Sequence, residues 1–259
     1  MYQLDRIEFA YGDKRVLKRL SLSFETGCFY GIIGPNGCGK TTLIDLLGGH
    51  LKPDNGEIQY NGRPLSRYSP RELSRIVALV PQDFFINFPY TCKEIVMMGR
   101  YPYIPRFSRP SIEDLSIVEG VIQKSGLSAF VTRMVNQLSG GERQRVVFAR
   151  GLAQDTDVLL LDEATSNLDM QHTIGMLNLA AEKVAQGALV ISVMQDINLA
   201  SMYCDRLVCL KNGRLYATGK LEEVLTAKTL RDVFHVQAKV ERNPFSGNLQ
   251  VAYHKEVNR

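Results

Sequence analysis

The chain has 259 residues, 45% of them apolar and 22% charged, which suits one large domain, or one domain with a subdomain, built on a sizeable core. Its net charge of +4 is small and scattered, which speaks against a nucleic-acid surface. The start, Met1 to Arg6, lacks a signal-peptide pattern, no apolar run approaches the ~18 residues of a membrane span, and five cysteines without a CxxC pair argue against both a disulfide framework and a zinc site. A reducing compartment, hence the cytosol, is expected.

Leu20-Ser21-Leu22-Ser23-Phe24 alternates apolar and polar residues, the period of a half-buried strand. Asn61-Gly62, between Tyr60 and Arg63, is a hairpin signal. The N-terminal part therefore reads as an antiparallel sheet. Phe29 to Ile33, Ile76 to Val80, Val158 to Leu161 and Leu189 to Val193 are short apolar runs that suit strands buried on both faces. Helical patterns lie between them, so this part reads as α/β with a parallel sheet. From about Thr91 the pattern turns helical, over Glu94 to Met98 and Ile112 to Ile122, around a connector rich in proline and tyrosine, Tyr101 to Arg106. Leu207 to Leu210, Asn212-Gly213 and Arg214 to Ala217 predict another hairpin. The tail from Ala238 carries no clear signal.

The segment from Gly34 to Thr42, with Asn36, Gly37, Cys38, Gly39, Lys40 and Thr41 between, fits G-x-x-x-x-G-K-[ST] after a strand and before a helix. Glycines let the chain wrap so that amide hydrogens point inward, which with the positive end of a helix suits a polyphosphate. Lys40 is placed to reach β- and γ-phosphates, and the Thr41 hydroxyl to ligate Mg²⁺. The Val158–Leu161 strand then delivers Asp162 and Glu163 to its C-terminal end, where ligands gather in α/β sheets. Asp162 suits Mg²⁺, held through water. Glu163 suits general-base work on an attacking water.

Leu138-Ser139-Gly140-Gly141-Glu142-Arg143-Gln144 is locally a helix start with capping-box spacing, Ser139 to Glu142. It also resembles the signature motif of ATP-binding cassette (ABC) proteins, and it lies between the phosphate loop and Asp162-Glu163, as in that family. The fold implied by the resemblance is a P-loop NTPase core with a parallel sheet, an N-terminal antiparallel β subdomain and an inserted helical subdomain. Residues 1–259 would form a single nucleotide-binding domain. About 91–150 would be the helical subdomain, and about 238–259 an extension of unassigned role.

The resemblance also assigns roles. Tyr11 stacks on adenine. Gln82 senses Mg²⁺ and contacts a transporter. Ser166-Asn167-Leu168-Asp169 couples the two sites of a head-to-tail dimer, in which Ser139, Gly140 and Gly141 of one copy close over ATP on the phosphate loop of the other. Gly99 to Tyr103, Ser111 to Asp114 and Gly219 to Val233 are similar to the iron-siderophore, haem and cobalamin group. The resemblance thus implies an ATPase subunit of a bacterial importer, peripheral on the cytoplasmic face of the inner membrane. Its partners are a second copy of itself, permease subunits and, indirectly, a substrate-binding protein, with no nucleic acid.

One residue departs from the family pattern. After the Leu189–Val193 strand the family carries a histidine that contacts the γ-phosphate, and this chain has Gln195. An amide donates a hydrogen bond but carries no charge, so slower hydrolysis with retained ATP binding is expected. Ala164 replaces a common proline. Two other readings compete: a cassette working outside transport, and an ATP-gated interaction protein with little turnover.

Overall fold

The computed structural model describes residues 1–82, 84, 88–166 and 168–254. The chain divides into two compact units, one of residues 1–65 and 191–259, the other of 66–190.

The first unit opens with β1 (Tyr2–Tyr11) and β2 (Lys14–Phe24), an antiparallel ribbon. Leu20, Leu22 and Phe24 are buried while Ser21 and Ser23 are exposed, so the alternation is that of a sheet with one wet face. In β3 (Phe29–Ile33) all five residues are buried. This strand feeds α1 (Lys40–Leu47) through the glycine-rich turn. Next come β4 (Asn55–Tyr60), antiparallel to β1, and β5 (Arg63–Pro64). Asn61 and Gly62 between them have φ of 47° and 76°, the positive values of a tight hairpin turn.

The second unit contains α2 (Pro70–Leu73), β6 (Val77–Val80), α3 (Cys92–Met98), α4 (Ile112–Lys124), α5 (Gly140–Ala153), β7 (Val158–Asp162) and α6 (Met170–Ala185). β6 and β7 pair in parallel, Val80 opposite Leu161. Helices α2 to α5 each start on a Ser or Thr with a reciprocal capping box. Ile95 and Val96 of α3, Val118 and Ile122 of α4, and Val146 and Ala149 of α5 share one buried cluster. That shared core explains the helical spacing after Thr91.

β8 (Leu189–Val193) begins in the second unit and ends in the first. The first unit then continues with α7 (Ile197–Tyr203), β9 (Arg206–Lys211), β10 (Arg214–Lys220), α8 (Leu221–Val224) and α9 (Ala227–Phe234). β9 is parallel to β3 and antiparallel to β10. Strands buried on both faces at β3, β7 and β8 and an antiparallel N-terminal sheet make up the α/β fold expected from the sequence. The tail forms a further hairpin, β11 (Ala238–Arg242) with β12 (Leu249–Tyr253), which the sequence did not announce. It is fastened by Asn198, whose Oδ1 accepts from Val251 N at 2.8 Å. Among the described residues, no helix is long and apolar enough to cross a membrane.

Candidate functional site

In the first unit, the loop between β3 and α1 depends on its glycines. Gly34, Gly37 and Gly39 have φ of 153°, 75° and 104°, values that a side chain opposes. A β-carbon on Gly34 would sit 2.4 Å from Leu210 O and 2.7 Å from Cys38 Sγ. One on Gly39 would sit 2.7 Å from Leu17 of β2. The loop is therefore held between the β1–β2 ribbon and β9.

Lys40 is 6% exposed, and its ammonium curls back over the loop to donate to Gly34 O (2.9 Å) and Pro35 O (3.2 Å). These carbonyls are a modest match for a cation, so an incoming polyphosphate competes well for it. Thr41 is exposed and Thr42 buried at the first turn of α1. Burial pushes the Cys38 thiol up, against the opposing pull of Lys40. Beside it Cys209 is pushed up to about 12 by burial, with Cys38 adding to it. All five cysteines are free thiols.

A cleft of about 530 Å³ opens here, lined by Gly34, Pro35, Asn36, Lys40, Gln195 and His235 among others. Gln195 thus shares one cleft with the phosphate loop. Its neighbour Asp196 caps α7, accepting from Asn198 N (2.8 Å) and Leu199 N (3.1 Å). Tyr11 lies at the far end of β1, 53% exposed, its ring 4.9 Å from that of Phe9 in an edge-on arrangement. Tyr11 does not line this cleft; it belongs to the ribbon that packs against Gly39.

In the second unit, Asp162 and Glu163 leave the C-terminal end of β7 with side chains 5% and 9% exposed. Glu163 has φ of 46°, a left-handed conformation that is costly for a residue with a β-carbon. Gln82 follows β6, the parallel neighbour of β7, so it emerges at the same edge. Gln144 of α5 donates to Pro81 O at 3.3 Å and so ties the signature helix to the Gln82 loop.

Ser139 caps α5, its Oγ accepting from Glu142 N and its N–H donating to Glu142 Oε2 at 2.7 Å. Donation from Ser139, chiefly its backbone N–H, holds the Glu142 carboxyl below its ordinary range. Gly140 and Ser139 are exposed, and among the described residues a β-carbon on Gly140 would meet nothing within 4 Å. Asp169 caps α6 by accepting from His172 N at 2.9 Å, which lowers its pKa, with the His172 ring reinforcing the effect. Asn167 of the predicted coupling loop lies outside the described residues.

The sequence did not point to Lys211, Asn212, Phe234 and His235 as neighbours of the phosphate loop. They arrive from β9 and α9, more than a hundred residues downstream, and only the Asn212-Gly213 turn left a local trace.

A glycine-wrapped loop at a helix N-terminus, with an inward lysine and a downstream pair of buried carboxylates, defines a nucleotide-binding protein of the phosphate-loop class. Residues 17–166 match the family described as ABC transporter. The chain belongs to that family. It is 37% identical over 238 residues to the hemin import ATP-binding protein HmuV of Thermobifida fusca, covering 92% of this chain and 83% of that protein. A solved structure of a candidate metal-chelate type ABC transporter, in an inward-facing conformation, superposes with a TM-score of 0.83 at 26% identity, over 98% of this chain and 97% of that one. The ATP-binding cassette MJ0796, solved as a dimer with ADP and Pi, superposes at 0.75 with 28% identity, over 85% and 99% of the two chains.

Proposed function

We propose that this chain is the ATP-hydrolysing subunit of a bacterial importer for a metal chelate: a ferric siderophore, haem or cobalamin. It works as a head-to-tail dimer on the cytoplasmic face of the inner membrane, beneath a separate permease that receives the chelate from a substrate-binding protein. The observation that carries this reading is the similarity to a hemin import ATP-binding protein across 92% of the chain, well beyond the family-wide segment.

The chemistry is mostly positioning and charge stabilisation. Amides of the loop from Gly34 to Thr42 cradle the phosphates and Lys40 leaves Gly34 O for the β- and γ-phosphates. Tyr11 stacks on adenine. Thr41, Gln82 and Asp162 each offer a side-chain oxygen, the ligand a hard cation prefers, so they would hold Mg²⁺, which would supply charge neutralisation at the phosphates. Glu163 takes a proton from the attacking water. Its strained backbone supports this role, since such strain concentrates at functional sites.

Ser139, Gly140 and Gly141 close the site of the partner copy. Among the described residues, neither φ nor packing requires glycine at Gly140, which suits the close approach of an outside group. Asp169 and its loop couple the two sites, and Gln82 relays the nucleotide state to the permease. We assign about 91–150 as the helical subdomain that docks the permease. Tyr101, Phe107 and Ile112, all exposed there, support that assignment. We assign about 238–259 as an extension of unassigned role. Gln195 also favours a second reading, an ATP-gated interaction protein with little turnover.

Uptake of labelled haem, ferric siderophore and cobalamin tests the proposal in cells lacking this chain. One of the three uptakes should be lost, regained with the chain and not regained with Glu163→Gln. Unimpaired uptake of all three contradicts it.

A further inference from the structure

Helix α9 ends on a residue whose backbone resists a side chain. His235 has φ 59° and ψ 33°, with its N–H donating to Arg231 O at 3.1 Å. Glycine fills this left-handed closing position with least strain. Histidine tolerates it better than β-branched residues do, yet still less well than glycine. His235 is exposed, so burial offers its side chain little in return. Among the described residues its ring has no hydrogen-bond or ion-pair partner. A strained backbone that keeps an exposed side chain points to use of that side chain.

The place of His235 indicates the use. It lines the same cleft as Gly34, Pro35, Asn36, Lys40 and Gln195. The other cations there are tied to carbonyls: Lys40 to Gly34 O and Pro35 O, Lys211 to Asp232 O. Asp232 is itself engaged at its carboxylate by Tyr216 Oη, 2.8 Å away, and Asp196 by the start of α7. Gln195 brings a neutral amide. The imidazole is thus an exposed donor lining the phosphate-loop cleft, without a partner among the described residues.

We propose that His235 is a nucleotide-binding residue whose imidazole donates a hydrogen bond to the terminal phosphate of ATP from the Gln195 side of the cleft. This rests on the reading that ATP occupies the phosphate loop. The imidazole then supplies, from the end of α9, a donor that can carry charge where Gln195 cannot.

The test is the affinity of the full chain for Mg-ATP and Mg-ADP by titration calorimetry. It is made in a Glu163→Gln background so that ATP persists, with and without His235→Gly. Glycine relieves the backbone, so the fold is retained and the melting temperature does not fall. ATP affinity should drop about tenfold with ADP affinity nearly unchanged, the size of one charge-assisted hydrogen bond to the phosphate that ADP lacks. His235→Asn, which also tolerates the backbone and keeps a donor, should recover part of the loss. An ATP-to-ADP preference that His235→Gly leaves unaltered, or equal weakening of both, overturns the assignment. A parent chain that binds neither nucleotide overturns the underlying reading as well.

Discussion

Arg100 Nε donates to Asp114 Oδ1 at 2.9 Å, and both side chains are buried. The pair ties the end of α3 to the start of α4. Arg100 also donates to Ala153 O at 2.9 Å, at the end of α5, and its guanidinium carbon lies 4.1 Å from the centre of the Tyr103 ring. Ser111 Oγ and N donate to Asp114 Oδ2 at 2.7 and 2.9 Å. Asp114→Asn therefore strands a buried guanidinium and should destabilise the chain by about 3 kcal/mol in urea unfolding.

The same pair sets a pH dependence. Burial alone pushes the Asp114 carboxyl up, but hydrogen bonds from Ser111 and the charge of Arg100 outweigh it, and the net shift is downward. A depressed folded pKa gives stability that is present above the unfolded value of about 4 and lost as pH falls through the folded value. The stability gap between parent and Asp114→Asn should be full at pH 6 and should narrow below pH 4. A gap independent of pH contradicts this.

Two glycine substitutions should separate structure from function. In Gly34→Ala the new carbon meets the Leu210 carbonyl and Cys38, so stability should fall by about 2 kcal/mol and nucleotide binding with it. In Gly140→Ala the new carbon meets open space on an exposed first turn, so stability should stay within about 0.5 kcal/mol. Turnover should nonetheless fall in the proposed dimer, where the partner's nucleotide would need that space. Calorimetric melting beside phosphate release checks both.

Cysteine reactivity should follow burial. Cys92 is pushed up to about 11 and Cys209 to about 12, and Cys38 and Cys204 are also raised, in each case chiefly by burial. All four remain thiols near neutrality. Cys28 is also raised by burial but is partly exposed, so it should be the site that a maleimide labels in the folded chain at pH 7.5. The other four should react only in urea. Fast labelling of Cys38 in the folded state contradicts the buried setting described for it.

Gln195→His should raise turnover, since an imidazole in that cleft can carry charge that the amide cannot. ATP affinity should change little. Turnover unchanged by histidine would mean that Gln195 is not a brake.

Much of the fold was legible because the signals were local. Alternation over Leu20 to Phe24, the Asn-Gly pairs at 61–62 and 212–213, and the glycine spacing around Lys40 each fix backbone geometry within a few residues. Glu163 was legible as a carboxylate at a strand end, though not its left-handed backbone. The features that stayed hidden depend on distant packing. The Arg100–Asp114–Ala153 network joins three helices; Gly99 to Tyr103 and Ser111 to Asp114 stood out only by their resemblance to a group of importers, and nothing marked Ala153 as their partner. His235 comes to line the phosphate-loop cleft through the path of α9, which no spacing near Lys40 encodes. The β11–β12 hairpin has short strands with mixed exposure, so no period marked it.

Mg-ATP turnover of the full chain beside Glu163→Gln decides whether Glu163 is the base of an ATP-hydrolysing site. Phosphate release by the parent should be measurable and should fall at least about a hundredfold in Glu163→Gln, with ATP still bound. Turnover that survives the substitution would show that Glu163 is not the base and that the site works by other chemistry than the one described.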